Sequence, residues 1–434
     1  MDTGHAAWLL TSASLVLLMT PGLALFYGGM TRAKSVLNMM MMSFGALAVV
    51  PVVYVLWGWS MSYGSEDVAG LFANPLELFG LDGVVGGDYI DIAFQVTFAI
   101  ITTALVSGAI ADRAKFSTWL VFVAIWVTLA YFPLAHMVWS GGLLSADGPF
   151  ADIAAPIDYA GGTVVHINAG VAGLVLALLL GVRRGFGREP IRPHNLPLTM
   201  LGAGLLWFGW FGFNVGSFVP SATGNAFPAE FASETGLVWV NTTVATSAAM
   251  LGWLLLEKLR DGKATSLGAA SGVVAGLVAI TPACGSVTPV GAIVVGITAG
   301  VLCAVAVGLK YRLGYDDSLD VVGVHLVGGL VGTIGIGFLA ADGGLFYGDG
   351  ARQLAVQAVI AVVAIAFSAF VTFVVGGLLK LTMGWRIDAE DEREGVDVVE
   401  HGESAYDLAS AGGSRNVTAA SAKVTKRASE GANL

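Results

Sequence analysis

Charge is what this chain has least of. Only 12% of its 434 residues are Asp, Glu, Lys or Arg, about half the share of a soluble domain, which argues against an ordinary cytosolic enzyme. The 21 basic residues are outnumbered by 31 acidic ones, a net charge of −10, and no nucleic-acid partner is expected of such a chain. Cysteine is nearly absent. Cys284 and Cys303 lie in separate apolar runs without metal-type spacing, so they read as core fillers. The opening Met1-Asp-Thr-Gly-His5 has no basic stretch, and the first apolar run is expected to be retained rather than cleaved as a signal. Apolar residues, in contrast, make up 56% of the chain, and the mean hydropathy is +0.78. Glycine, at 59 residues, is roughly twice as common as usual, which suits membrane helices packed closely through small residues. The chain reads as an integral membrane protein.

A spanning helix needs about 20 mostly apolar residues. Eleven runs meet or approach this length: 6–26, 36–59, 92–111, 118–139, 162–181, 196–216, 236–256, 266–282, 291–309, 321–341 and 354–381. The eighth is short and ends at Thr281-Pro282, so a broken or weakly tilted helix is expected there, and the eleventh is long enough to tilt or project. Basic residues provide an independent count. They follow spans one, three, five, seven, nine and eleven, and Arg352 alone lies on the other side, which puts 20 of 21 on one face. The positive-inside rule makes that face cytoplasmic, with the N-terminus outside and the C-terminus inside. The outer segments hold 14 acidic residues against that one base. They read either as solvated loops or as a negative mouth that concentrates cations.

Span five opens with Asp158 and carries His166; span ten opens with Asp317-Ser-Leu-Asp320 and carries His325. The two are five spans apart, an odd number, so they enter from opposite faces. The pattern predicts an all-α polytopic fold of eleven transmembrane helices, built as inverted five-helix repeats plus an eleventh helix, with a site near the midplane. At about 1.5 Å per residue, His166 lies ~12 Å from Asp158 and His325 ~7.5 Å from Asp320. The sum is short of the ~30 Å hydrocarbon thickness. The imidazoles are therefore expected to meet only if both aspartates sit below the membrane surfaces, at the floors of shallow vestibules joined by a narrow lumen.

Of six histidines, His5, His194 and His401 are expected in exposed segments and His136 near the outer end of span four; only His166 and His325 lie deep in spans. An ionisable residue at depth costs a few kcal/mol and points to function. A neutral imidazole pair can share a hydrogen bond and offer its edges to a small polar molecule, although two packing histidines remain the plainer alternative. Asp158 either caps span five through the amides of residues 160–162 or stabilises a cation beside it; Asp320 is read as a cap on the cytoplasmic side. Phe94 and Phe98, Trp139 and the run Trp207–Phe213 gather near span ends. Interfacial belts explain such residues singly, whereas together with an acidic mouth they suggest a cation–π site. The sequons at Asn241 and Asn416 fall in a span and on the cytoplasmic side, where they carry no glycan signal.

Six stretches resemble the ammonium transporter (Amt/Mep/Rh) family, in its bacterial and archaeal Amt branch. They are Thr20–Met30, Phe94–Ala99, Asp158–His166, Trp207–Ser217, Asp316–His325 and His401–Tyr406, spread over nearly the whole chain. The resemblance implies a homotrimer with one pore per subunit in the cytoplasmic membrane. It also implies that Phe98, Trp139 and Ser217, with Phe94 beside them, recruit ammonium at the outer mouth, and that Asp158 is the carboxylate needed near that site. Phe98 and Phe213 match the stacked pair that occludes the pore, and His166 and His325 the twin-His lining. Ammonium, or methylammonium as its analogue, would bind at the mouth, deprotonate and pass as ammonia. No cofactor, metal or enzymatic activity is implied.

Residues 1–383 thus form a transport domain. Residues 384–434, with ten acids and six bases, read as a cytosolic tail that is disordered from about residue 411. The resemblance makes the tail a contact for neighbouring subunits and for a trimeric PII-type signalling protein. Two other classes compete. An ammonium sensor would keep the mouth site and signal through the tail; an intramembrane metalloenzyme lacks the His-Glu-x-x-His pair it would need.

Overall fold

The computed structural model describes residues 2–189, 192–221 and 227–406. The expected disordered stretch from residue 411 and the Asn416 sequon lie outside the described residues. Among the described residues, ten helices are long and apolar enough to cross a membrane: α1 (Thr3–Met30), α2 (Val36–Tyr63), α3 (Asp88–Ile110), α4 (Phe116–Trp139), α5 (Gly162–Leu180), α6 (Leu196–Val215), α7 (Phe227–Asp261), α9 (Pro289–Leu313), α10 (Val322–Leu339) and α11 (Arg352–Thr382). The remaining predicted span, the eighth, is present as a shorter helix, α8 (Ser266–Ile280), of 15 residues.

The brevity of α8 has a local cause. The chain turns at Thr281-Pro282 and continues as a buried turn rather than as helix. Irregular backbone at that depth is tolerated only where protein groups satisfy it. Here Asn241 donates from Nδ2 to the carbonyls of Cys284 and Val287, both at 2.8 Å, and the Trp210 indole donates to the Thr281 hydroxyl at 2.8 Å. The Asn241 sequon is therefore a structural clamp.

The two halves repeat their packing at an offset of five. Helices α1 and α3 pack together as α6 and α8 do, α2 against α4 as α7 against α9, and α5 crosses its counterpart α10. Small residues set one of these crossings: a Cβ on Gly296 would lie 2.2 Å from the Ala245 carbonyl oxygen, and one on Gly300 2.1 Å from that of Ala249. The Gly-xxx-Gly pair of α9 thus rides on an Ala-xxx-Ala pair of α7, backbone against backbone. Helix α11 lies across the join between the halves. Gln357 donates to Ile157 O and Thr333 O, and Trp126 of α4 donates to Thr372.

The basic loops converge at one end of the bundle. Arg113, wholly buried, donates to the carbonyls of Ala109, Ala111, Gly181 and Asp316, and Arg183 pairs with Asp316 at 3.2 Å. Two short helices, α12 (Ala389–Glu394) and α13 (Val396–His401), dock on that same end. Asp397 accepts from the amides of Leu37 and Asn38 at the start of α2, Glu392 from the amide of Arg184, and Glu400 from that of Phe116. Burial raises the Asp397 carboxyl above its usual value, against the opposing amide hydrogen bonds. His194 and His401, expected to be exposed, are half-buried here: His194 meets the Tyr406 hydroxyl at 2.8 Å and His401 the Asn38 side chain at 3.0 Å. At the other end, a two-residue hairpin, β1 (Asp67–Val68) with β2 (Phe72–Ala73), is held by Asp67 to His136 at 2.9 Å.

Candidate functional site

Both deep histidines, and the phenylalanine above them, sit on π-helical turns. His166 lies in Gly162–Ile167, His325 in Val322–Leu326 and Phe213 in Phe211–Val215. A π-turn widens the helix by one residue and re-aims its side chains, and such turns recur at functional sites. The outcome is a vertical stack. Phe98 lies on Phe213 with centroids 4.1 Å apart and planes 20° off parallel; Phe94 and Trp139 meet Phe98 edge-on at 4.8 and 6.1 Å. Beneath, His166 stacks on Trp210 at 5.5 Å, and its Nδ1 lies 3.3 Å from Nδ1 of His325.

Above the phenylalanine pair, a cavity of about 580 Å³ has Phe94, Phe98, Trp139 and Ser217 in its wall. The Ser217 hydroxyl donates to Phe213 O at 2.8 Å, which leaves its lone pairs for a donor in the cavity. Below the pair, the chamber around His166 and His325 shrinks to about 10 Å³ and is lined mainly by Leu, Phe, Ile and Val side chains. That is roughly the space of a single water. The site is a wet outer basin and a nearly dry throat, separated by two stacked rings.

Asp158 is placed as a cap. Its Oδ1 accepts from the amides of Gly161 and Gly162 at 2.8 and 2.6 Å, and its Oδ2 from Thr163 N at 2.8 Å, Val164 N at 3.4 Å and the Thr163 hydroxyl. Gly161, with φ of +117°, supplies the turn that gathers these amides. Both oxygens are thus committed to fixing the start of α5. The Asp158 carbonyl accepts from the Trp139 indole at 2.9 Å, which locks that ring over the basin.

On the opposite half the cap is Asp317, not Asp320. Asp317 accepts from the amides of Val321 and Val322 at 3.0 and 2.7 Å, while the Asp320 carboxylate meets Lys310 Nζ at 2.5 Å. Asp320 stands in the left-handed region, φ 65°, which turns its side chain away from the helix start and towards Lys310. The repeat is therefore Asp-x7-His in both halves, and the equal spacing of 158–166 and 317–325 was the signal available in the sequence. His5 departs from expectation more strongly: it is 6% exposed and surrounded by Phe218, Phe227 and Phe231. Trp210, read at first only as one aromatic in a run, is the ring that supports His166.

Comparison with known proteins identifies the family of the chain and matches its fold. The model of the Ammonium Transporter Family matches residues 7–406. The ammonium transporter of Mycobacterium tuberculosis is 53% identical over 450 aligned residues, covering 95% of this chain and 92% of that protein; that of Aquifex aeolicus is 46% identical over 422, covering 94% of each. Among solved structures, one described as a sensor Amt protein superimposes with a TM-score of 0.81 at 29% identity, over 92% of this chain and 98% of that one. Saccharomyces cerevisiae Mep2 gives a TM-score of 0.81 at 32% identity, over 95% and 93%. A paired-histidine throat on an inverted eleven-helix frame, matched along its length by such relatives, makes this chain a member of the ammonium transporter family.

Proposed function

We propose that the chain recruits ammonium in the outer basin at Phe98, Trp139 and Ser217, removes one proton there, and conducts ammonia past Phe98–Phe213 and the His166–His325 pair. The observation that carries this reading is the dry throat. An ion that keeps its charge would bear a desolvation cost of many kcal/mol in such a chamber, which excludes alkali cations. Ammonium can shed its charge as a proton, and ammonia needs only a few hydrogen bonds. The basin suits the charged form: aromatic faces stabilise a cation by about 0.5–2 kcal/mol each when partly desolvated, and the Ser217 lone pairs accept an N–H. The throat suits the neutral form. Two imidazoles joined through Nδ1 leave one Nε2 donor and one Nε2 acceptor, so ammonia finds both kinds of partner on its way.

The reading includes an outer N-terminus, a cytosolic tail and a plasma-membrane location, supported by the 20 bases gathered on one face. It also includes a homotrimer and a PII-type protein that engages the tail, both supported by the family resemblance. The docking of Glu392, Asp397 and Glu400 on the starts of helices and loops gives such a partner a mechanical route to the bundle.

Proteoliposomes carrying the full chain test the transport step. Ammonium and methylammonium are expected to give saturable flux, and potassium none. Replacing His166 and His325 together by leucine is expected to abolish ammonium flux or its selectivity over potassium; wild-type behaviour of that double variant would refute the assignment.

A further inference from the structure

The outer basin extends well beyond the recruitment site, and its upper wall holds groups that conduction through the throat leaves unused. On α3, Asp88, Asp91, Gln95 and Phe98 follow one another at intervals of three, four and three residues, which sets them on one helix face. All four line the same cavity. At about 1.5 Å per residue, Gln95 stands about 4.5 Å, and Asp91 about 10 Å, from Phe98 towards the outer end. The stripe passes from carboxylates at the rim, through an amide, to a bare ring.

Two other helices close the cavity at this level, with His5 from α1 and Tyr63 from α2. His5 is 6% exposed, yet its Nε2 has no hydrogen-bond partner; the Tyr63 hydroxyl and Gln95 Oε1 are likewise buried without one. The Asp91 carboxylate is half-buried and within electrostatic reach of the Tyr63 hydroxyl. Buried polar groups are as a rule hydrogen-bonded, and these three have no protein partner, so a ligand in the cavity that brings donors can complete them. The available atoms are a carboxylate, an amide oxygen, a phenol oxygen and an imidazole nitrogen, every one able to accept. Ammonium offers four N–H donors, no acceptor and one positive charge, and matches that set.

We propose that Asp91, Gln95, Tyr63 and His5 form a second ammonium subsite, one to two helical turns outside the Phe98–Trp139–Ser217 site. It rests on the transport reading above, and it holds an ion in wait when external ammonium is low. The three faces around it are the α3 stripe, the His5 corner packed by Phe218, Phe227 and Phe231, and the Tyr63 wall.

The test is the ammonium dependence of current in proteoliposomes of the full chain. Gln95→Leu, which removes one hydrogen bond to a cation, and Asp91→Asn, which removes the charge beside it, are each expected to raise the half-saturating ammonium concentration about tenfold or more. Asp82→Asn removes an exposed loop carboxylate outside the cavity and reads the diffuse field of the mouth; it is expected to shift that concentration less than about twofold at physiological salt. The subsite is overturned if Gln95→Leu does not move half-saturation, or if Asp91→Asn moves it no further than Asp82→Asn. A fall in maximal current at unchanged half-saturation would assign the stripe to gating and also overturn it. Wild-type liposomes without ammonium current would instead overturn the transport reading, and the subsite with it.

Discussion

Two imidazoles bonded through their Nδ1 atoms at 3.3 Å cannot both donate, so the pair holds one Nδ1–H and one Nδ1 lone pair. The neighbours fix this edge-to-edge contact, because Trp210 stacks on His166 and a Cβ on Gly329 would lie 3.2 Å from the His166 Cβ. Replacing Trp210 by alanine should tilt the His166 ring and lower ammonium flux more than tenfold while the chain still folds, with flux per inserted protein as the measurement. Asp158 permits a cleaner separation of roles. Asp158→Ala strips acceptors from four consecutive amides and should cost about 1–3 kcal/mol of stability, whereas Asp158→Asn keeps an oxygen and should cost less. A charge-only role would make the two variants equal in thermal unfolding. The residue types at these positions were legible as chemistry, and the Asp-to-His interval was legible on the first half. On the second half the same interval singles out Asp317, whereas the turn of Asp320 towards Lys310 rests on a left-handed residue that spacing does not record.

Helices in this bundle pass at distances set by single side chains. Where Gly300 of α9 meets Ala249 of α7, a Cβ would come within 2.1 Å of a carbonyl oxygen, so Gly300→Leu must push the helices apart. Overpacking of this kind costs about 1–3 kcal/mol or more, and the expected result is lower yield and earlier thermal unfolding of the detergent-solubilised protein. The outer hairpin gives an acid-sensitive counterpart. The hydrogen bond with His136, helped by the Gly70 amide, holds the Asp67 carboxyl below its usual value. A depressed carboxyl contributes fully above its unfolded value of about 4 and loses that contribution as pH falls through the lowered one. Amide exchange in residues 64–74 should therefore rise on acidification, and Asp67→Asn should remove that dependence. Helix existence was plain from hydropathy. The π-turns under His166, His325 and Phe213 were not, since an extra residue in a helical turn leaves composition unchanged.

At the scale of the whole molecule, the tail as far as Tyr406 and the bundle form one structure at the basic end. Four backbone amides, at Leu37, Asn38, Phe116 and Arg184, find their acceptors on Asp397, Glu400 and Glu392. Truncation before Asp388 should leave those amides to water and speed exchange and proteolysis around residues 34–38, 113–116 and 183–184, with the pore helices unaffected. Proteolytic mapping of the truncated and full chains would measure this, and equal patterns would mean that docking contributes nothing.

Hydropathy and the order of a few charges fixed the span pattern and grouped the basic loops, because lipid demands apolar length and the positive-inside rule demands alternation. An Asp and a His at matching places in two halves marked the axis of the repeat. Other features depended on the folded chain: which aspartate caps α10, that Phe98 covers Phe213, that His5 turns inward, and that the tail lies against the loops. The first turns on one left-handed residue, Asp320, and the others depend on groups far apart in the chain coming into contact. A linear sequence records periodicity along one helix, but it does not record how far that helix is rotated against its neighbours.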